Sequence, residues 1–309
     1  MSPPPVPSPR RLDWRYGVGI AIFAAFVAGV EWWFGWAALL APWRRLSPLQ
    51  VLAAASVVYL SYGVRALRLY DYFRADMAGA YPLCLRLFLQ HNMLNNLLPM
   101  RSGELSFPWL MSRYFDVSPI RSLPVLFWFR LLDLHTLLAI GLGVVLGRSQ
   151  GAVAAGVLAL WLTLPVLAHR LSGRLRGLLD DGGGGRWRRL AVRLLSSLPQ
   201  SRRDFWASWA WTWLNWLAKL AAFAWVLVQF APLPAAAAWM GVIAGDLTSV
   251  LPIHGVAGAG TFEAGVVAGL VPFGVAPERA LPAAVNLHLF LLGCAVFAGL
   301  LTLLVRRRR

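Results

Sequence analysis

Long apolar runs alternate along the chain with short polar or arginine-rich joints, and the runs predict the elements. The runs Tyr16–Leu40, Leu49–Leu69, Ile120–Leu146, Gly151–Ala168, Phe205–Phe230 and Arg279–Val305 are each close to or above the ~20 residues a helix needs to cross a hydrocarbon core. Each predicts a full transmembrane span. Two further stretches are apolar but interrupted. Pro82–Phe115 carries Arg86, Gln90, His91, Asn92, Asn95 and Asn96, then the turn Pro99–Glu104, then a shorter run containing Pro108. Ala235–Pro272 breaks at Pro252 and again around Gly255, Gly258 and Gly260. Proline and glycine end a helix or let the backbone reverse, so each stretch predicts a re-entrant pair of broken helices. The expected fold class is an all-α integral membrane protein with about six full spans plus two re-entrant broken helix pairs.

The broken pairs sit in a repeated context. Leu49–Leu69, the first pair and Ile120–Leu146 form one three-part unit. Phe205–Phe230, the second pair and Arg279–Val305 form another of opposite orientation. An inverted repeat with broken helices is the arrangement that builds a polar site near the bilayer midplane in transporters.

Arginine placement sets the expected orientation. Arg10, Arg11 and Arg15 precede the first run, nine arginines fall between Arg170 and Arg203, and Arg306–Arg309 close the chain. All three groups fall on the cytoplasmic side only if both broken stretches turn back. The first then opens to the cytoplasm and the second to the opposite side, with Arg44 and Arg45 as exceptions. The expected layout is a disordered tail at 1–15, a single transmembrane domain at 16–305 with a basic cytoplasmic loop at 170–204, and a basic tail at 306–309. The centre of the loop, Asp180–Gly185, is read as a flexible glycine tract flanked by short amphipathic basic pieces.

Composition agrees with that pattern. The chain has 309 residues, 59% hydrophobic and 14% charged, with a mean hydropathy of +0.61. A soluble domain is about 45–50% apolar and about 25% charged, so a soluble enzyme is excluded. The net charge of +16 then belongs to topology and anionic lipid rather than to nucleic acid. Lys219 is the only lysine. Cys84 and Cys294 lie in apolar runs and read as small hydrophobes.

Charges at membrane depth cost about 2.5–3.5 kcal/mol each on insertion scales and normally line an interior cavity or pair up. Three clusters stand out. The first holds His91, Asn92, Asn95, Asn96, Arg101 and Glu104; Arg101 suits bidentate contact with phosphate or carboxylate, or pairs with Glu104 to close a hairpin. The second is Arg130 and Asp133, an i,i+3 pair in a long span, with His135 and Thr136 close by; either charge can instead bridge to the first cluster. The third is Asp246, Thr248, Ser249, His254 and Glu263 around the glycines. Asn286 and His288 read as packing hydrogen-bonders. Trp206, Trp209, Trp213 and Trp216 form one helical stripe, expected to be an interfacial belt. Asn215 and Lys219 lie on a different row, expected to face the polar interior. His169 is expected to be solvated. No H-E-x-x-H, G-x-S-x-G or metal-spaced Cys/His set occurs, so no catalytic residue, metal site or cofactor is expected.

The run Asn95-Asn96-Leu97-Leu98-Pro99-Met100-Arg101-Ser102-Gly103-Glu104, followed by Arg130-Leu131-Leu132-Asp133, resembles the N-x-L-P-x-R-x-G-E … R-x-x-D pattern of the lysylphosphatidylglycerol synthase transmembrane-region family, also called flippase-like domain proteins. Leu251–Glu263 resembles that family's later Pro/Gly-rich segment, although His254 stands where many relatives carry a Pro/Gly run. The resemblance spans roughly Leu49–Val305. It implies a lipid-translocase-like module in the bacterial inner membrane, with Arg101, Glu104, Arg130, Asp133 and Glu263 as matching polar positions. No soluble aminoacyl-transferase domain accompanies it, so lipid aminoacylation is not expected of this chain. The candidate headgroup-binding set is Asn92, Asn95, Asn96, Arg101, Glu104, Arg130, Asp133, Asp246, His254 and Glu263. The expected partners are membrane lipids with an anionic headgroup or lipid phosphate, and no nucleic acid. The competing readings are a membrane-embedded transferase on a lipid-linked substrate, and a non-catalytic partner of an envelope-lipid synthesis enzyme docking through the basic loop.

Overall fold

Two helical hairpins with touching tips occupy the middle of a bundle of longer helices. The computed structural model describes residues 24–25, 27–32, 35–147, 151–180, 185–196, 198–248 and 256–304. The tails at 1–15 and 306–309, the glycine-tract residues 181–184, and Ser249 and His254 lie outside the described residues, as does much of the first expected span.

The chain runs through α1 (Pro48–Tyr72), a single turn at Arg74–Met77, α2 (Tyr81–Leu97), a 3-10 turn at Pro99–Leu105, α3 (Ser106–Phe115), α4 (Pro119–Leu146), α5 (Ala152–Asp180) and α6 (Arg186–Ser196). It continues through α7 (Arg202–Phe230), α8 (Ala235–Thr248), a 3-10 turn at Val256–Gly258, α9 (Thr261–Leu270) and α10 (Pro277–Leu304). Among the described residues, five helices are long and apolar enough to cross a membrane: α1, α4, α7 and α10, and residues 155–175 of α5. At 1.5 Å per residue, α1 is about 37 Å long, against about 30 Å of hydrocarbon. By the same measure α3 and α9, with 10 residues each, reach only about 15 Å.

Local chemistry fixes the starts of these helices. At α1, Gln50 N–H donates to Ser47 Oγ at 3.2 Å and Ser47 N–H donates to Gln50 Oε1 at 2.8 Å, with Pro48 in the first helical position. That reciprocal cap satisfies two orphan donors. At α7, Ser201 Oγ accepts from Asp204 N at 3.0 Å. The basic pieces expected on either side of the glycine tract at 170–204 are helical. Leu171, Leu175 and Leu178 continue a 4-3 apolar spacing between the arginines, so α5 runs on to Asp180 as an amphipathic helix, and α6 follows as a second basic one.

The second hairpin is held by glycines on both arms. Gly241 and Gly245 of α8 face Gly265 and Gly269 of α9. A methyl group on Gly269 would sit 2.8 Å from the backbone carbon of Met240, one on Gly265 would sit 2.7 Å from Ala244 O, and one on Gly245 would sit 2.6 Å from Val266 Cγ2. Small residues four apart let two helices touch backbone to backbone. In the first hairpin Gly103 plays the same part, lying against Leu94 and Asn95 of α2. The turn Val256–Gly258 packs on both α2 and the turn Pro99–Leu105, so the two hairpin tips meet.

The two halves share one packing plan. Exchanging α1 with α7, α2 with α8, α3 with α9 and α4 with α10 maps the main helix pairings onto one another: α1–α2 onto α7–α8, α2–α10 onto α8–α4, and α3–α4 onto α9–α10. The α7–α10 contact has no counterpart of similar extent. Helices α1 and α7 run antiparallel. Asp71 and Arg74 at the end of α1 pair with Arg203 and Asp204 at the start of α7, while Trp43 before α1 meets Phe230 at the end of α7. The ion pairs Asp71–Arg203, Arg74–Asp204 and Asp76–Arg121 thus collect at one end of the bundle, termed the rim here.

Candidate functional site

Two apolar cores divide the bundle along its length. One contains Leu69 of α1, Phe73 and Met77 just after it, Val125–Leu132 of α4 and Phe205 of α7. The other contains Ala54, Val58 and Tyr62 of α1 with Leu137 of α4, Trp216–Leu227 of α7 and the second hairpin. Between them lies a polar layer, to which three of the spanning helices contribute residues at helical spacing: Arg65 and Arg68 from α1, Arg130 and Asp133 from α4, and Thr212, Asn215 and Lys219 from α7. Helix α2 adds Asn92, Asn95 and Asn96, and α8 adds Asp246. All of these but Thr212 and Asn215 line a cavity of about 160 Å³.

Asp133 is the centre of the layer. It accepts a forked pair of hydrogen bonds from Arg68, Nη1 to Oδ1 at 2.6 Å and Nη2 to Oδ2 at 3.3 Å, and a third from Trp216 Nε1 at 2.9 Å. Arg68 Nη1 also donates to Thr212 Oγ1 at 2.9 Å, and its guanidinium lies 4.4 Å from the Phe129 ring centroid. Arg130 sits 3.9 Å from Asp133 but pairs more closely with Glu104, Nη2 to Oε1 at 2.9 Å. This bridge ties α4 to the tip of the first hairpin. Lys219 Nζ pairs with Asp246 Oδ1 at 2.6 Å and lies over Trp216 and Phe223, which ties α7 to the second hairpin. Arg65 Nε donates to Asn215 Oδ1 at 2.9 Å.

Among the described side chains, four cations therefore meet three carboxylates, Asp133, Asp246 and the Glu104 that holds Arg130, an excess of one positive charge. The buried polar atoms around the cavity without a hydrogen-bond partner among the described residues include Arg68 Nε, Arg130 Nε and Asn95 Oδ1. Buried polar groups in folded proteins are almost always satisfied, so a concentration of unmet ones beside a cavity marks room for water or a ligand.

The candidates read from the sequence fall into three groups. Asn92, Asn95, Asn96, Arg130, Asp133 and Asp246 line the cavity, and Glu104 reaches it through Arg130. Glu263 is buried elsewhere: its Oε1 lies 2.7 Å from His288 Nδ1 and its Oε2 accepts from Gly260 N at 2.8 Å, so it caps α9 and fastens the hairpin to α10. His254 lies outside the described residues, and so does the side chain of Arg101, whose backbone belongs to the turn Pro99–Leu105. Glu104 makes the cross-bundle bridge to Arg130 that the sequence left open, and the expected Arg101–Glu104 closure falls outside the described residues.

Arg65 and Arg68 were not among the sequence candidates. The apolar run ends near Leu69, which made them look interfacial, but α1 continues to Tyr72 and leaves Arg65 about 10 Å inside the helix end. Their i,i+3 spacing, repeated by Arg130 and Asp133, was the available signal. Trp216 is also corrected. The stripe it belongs to turns inward along α7, from an exposed Trp206 to a buried Trp216 bonded to Asp133. His169 is half-buried and stacked on Phe205 at 4.5 Å. Asn286 joins Trp43 to Leu39 and Pro282 as a packing residue, and Cys84 and Cys294 are free and buried.

Neither a curated protein nor a solved structure matches this chain. The family described as Lysylphosphatidylglycerol synthase TM region matches residues 17–303, nearly the whole length, including both hairpins and every helix that contributes to the polar layer. A multi-pass helical membrane protein with a lipid-related role is what this match and the five apolar helices support, and the chain belongs to the lysylphosphatidylglycerol synthase TM region family.

Proposed function

We propose that the protein is a lipid translocase that carries a phosphate-bearing headgroup through the polar layer while the acyl chains remain in the bilayer. The observation that carries this reading is the cationic cavity enclosed between two apolar cores at the meeting point of the two hairpin tips. A single negative charge on the ligand balances the excess positive charge. Arg65 and Arg130, with Asn92 and Asn95, supply donors and acceptors suited to a phosphodiester and its hydroxyl groups.

The cavity holds about five waters' worth of volume, below the about 300–1,000 Å³ typical of small-molecule pockets. We read it as a closed state in which a phosphate and a small alcohol fit. Passage of the lipid then requires the hairpins to part from the helices they are pinned to, at Glu104–Arg130 and at Asp246–Lys219. In this reading both hairpins are re-entrant, the protein lies in a bacterial inner membrane, and the basic rim faces the cytoplasm as the positive-inside rule directs. The carboxylates favour carriage over catalysis, because Asp133, Asp246 and Glu104 each already hold a cation and none is left poised as a base.

Proteoliposomes with headgroup-labelled lipids test the proposal. Transfer should be faster for anionic than for zwitterionic glycerophospholipids, and Arg65→Gln should slow it by at least tenfold while the variant still melts like the wild type. Equal rates for Arg65→Gln and wild type across all lipids would remove the cavity from the mechanism.

A further inference from the structure

A second cavity, of about 400 Å³, opens at the rim between the outer end of α5, the segment after α6, and the start of α7. Its floor is apolar and aromatic: Val166, Leu195 and Phe205, with the ring of His169 stacked on Phe205. Two arginines, Arg170 and Arg202, line it with Gln200.

The rim sorts its arginines. Arg74, Arg121 and Arg203 are matched with Asp204, Asp76 and Asp71. Neither Arg170 nor Arg202 has an ion-pair partner among the described residues, although both border the same pocket. No carboxylate lines that pocket. The surroundings point to a lipid rather than a free solute. Over residues 155–175, α5 is almost wholly uncovered by protein, so one flank of the pocket borders the bilayer. Trp206 beside it and Trp187 on α6 are largely exposed, as expected where rings meet a membrane–water interface. Basic pockets between helices at the cytoplasmic interface recognise anionic headgroups.

We propose that this rim pocket is a binding site for an anionic phospholipid, its phosphate held by Arg170 and Arg202 and its first acyl carbons against Val166, Leu195 and Phe205. The site is separate from the polar layer and does not depend on the translocase reading.

The test is native mass spectrometry of the delipidated full-length protein titrated in detergent with phosphatidylglycerol, phosphatidylcholine or inorganic phosphate. An arginine near an anionic surface contributes roughly fivefold in affinity. Arg170→Gln/Arg202→Gln should therefore bind the rim phosphatidylglycerol about 30-fold more weakly, while Arg65→Gln retains that equivalent. Unchanged phosphatidylglycerol binding in the double variant, equal binding of phosphatidylcholine by the wild type, or inorganic phosphate binding as tightly as the lipid would each overturn the proposal. Photocrosslinking of wild-type protein with a headgroup-diazirine phosphatidylglycerol gives a reading that needs no variant. Label on peptides 166–173 or 199–206 supports the site, and its absence from both refutes it.

Discussion

Asp133→Asn is the sharpest probe of the polar layer, because it removes one charge at nearly constant volume. In the wild type, Asp133 neutralises a buried Arg68 through two hydrogen bonds and accepts a third from Trp216. Asparagine can keep the Trp216 bond and one bond from Arg68. The guanidinium, however, stays in place with only Thr212 and the Phe129 face as its other partners. Stranding one partner of a buried pair costs about 3–5 kcal/mol, and the surviving contacts place the expected loss near the lower end, at ~3 kcal/mol. Asp76→Asn is the control. It breaks the Arg121 pair at the rim, whose arginine is half exposed, and exposed pairs contribute about 0–1 kcal/mol. Reversible SDS unfolding in mixed micelles reads both losses on one scale. A third arm, Arg68→Met/Asp133→Asn, removes the stranded charge and should regain at least half of the loss, since replacing a buried pair by apolar groups is often neutral. If Asp133→Asn and Asp76→Asn differ by less than about 2 kcal/mol, the smallest gap between the two ranges, then Arg68 is not desolvated and the layer is not closed.

Three further outcomes follow from the packing. Gly269→Ala should destabilise by about 1–3 kcal/mol in the same unfolding assay, because the new methyl meets the Met240 backbone, whereas Gly293→Ala on α10, which has open space around it, should be neutral or stabilising by up to ~1 kcal/mol; equal effects would contradict the backbone contact. Lys219→Met should cost about 3 kcal/mol by removing the ammonium that holds Asp246 at 2.6 Å, and adding Asp246→Asn should recover much of it; two additive losses would mean that the pair is not coupled. Ala257 holds φ 57° in the second tip, so Ala257→Gly should stabilise by roughly 1 kcal/mol, and a loss of similar size would refute that backbone.

Much of the fold was legible because lipid imposes a blunt rule: apolar runs become helices, and prolines, glycines and amides interrupt them. The two hairpins could be read from Pro99, Pro252 and the glycines, and Arg130 and Asp133 from their depth in an unbroken run. Arg65 and Arg68 were hidden by the same rule, because an arginine near the end of an apolar run looks like a snorkelling anchor until the helix is seen to continue past it. Partner choice was the other hidden layer. Nothing along the chain says that Asp133 prefers Arg68, 65 positions earlier, to Arg130 one turn away, or that Glu263 turns to His288 instead of the cavity. Those choices depend on how α1, α7 and α10 are rotated, and that rotation is set by contacts between distant segments. The amphipathic character of residues 170–180 was legible from the leucines at 171, 175 and 178 between the arginines, but not that the segment continues α5 without a break.

The sole lysine of the chain is buried in the polar layer, with its ammonium held by Asp246. In this sequence an acylating reagent therefore meets no side-chain amine at the surface, only the α-amino group. Acylation of Lys219 requires the Asp246 contact to break and a path to the layer to open. The rate at which an N-hydroxysuccinimide ester modifies Lys219, followed by peptide mass, is thus a built-in clock for exposure of the interior. Comparing that rate with and without lipid would time the gate in the unmodified protein, with no engineered cysteine or fluorophore.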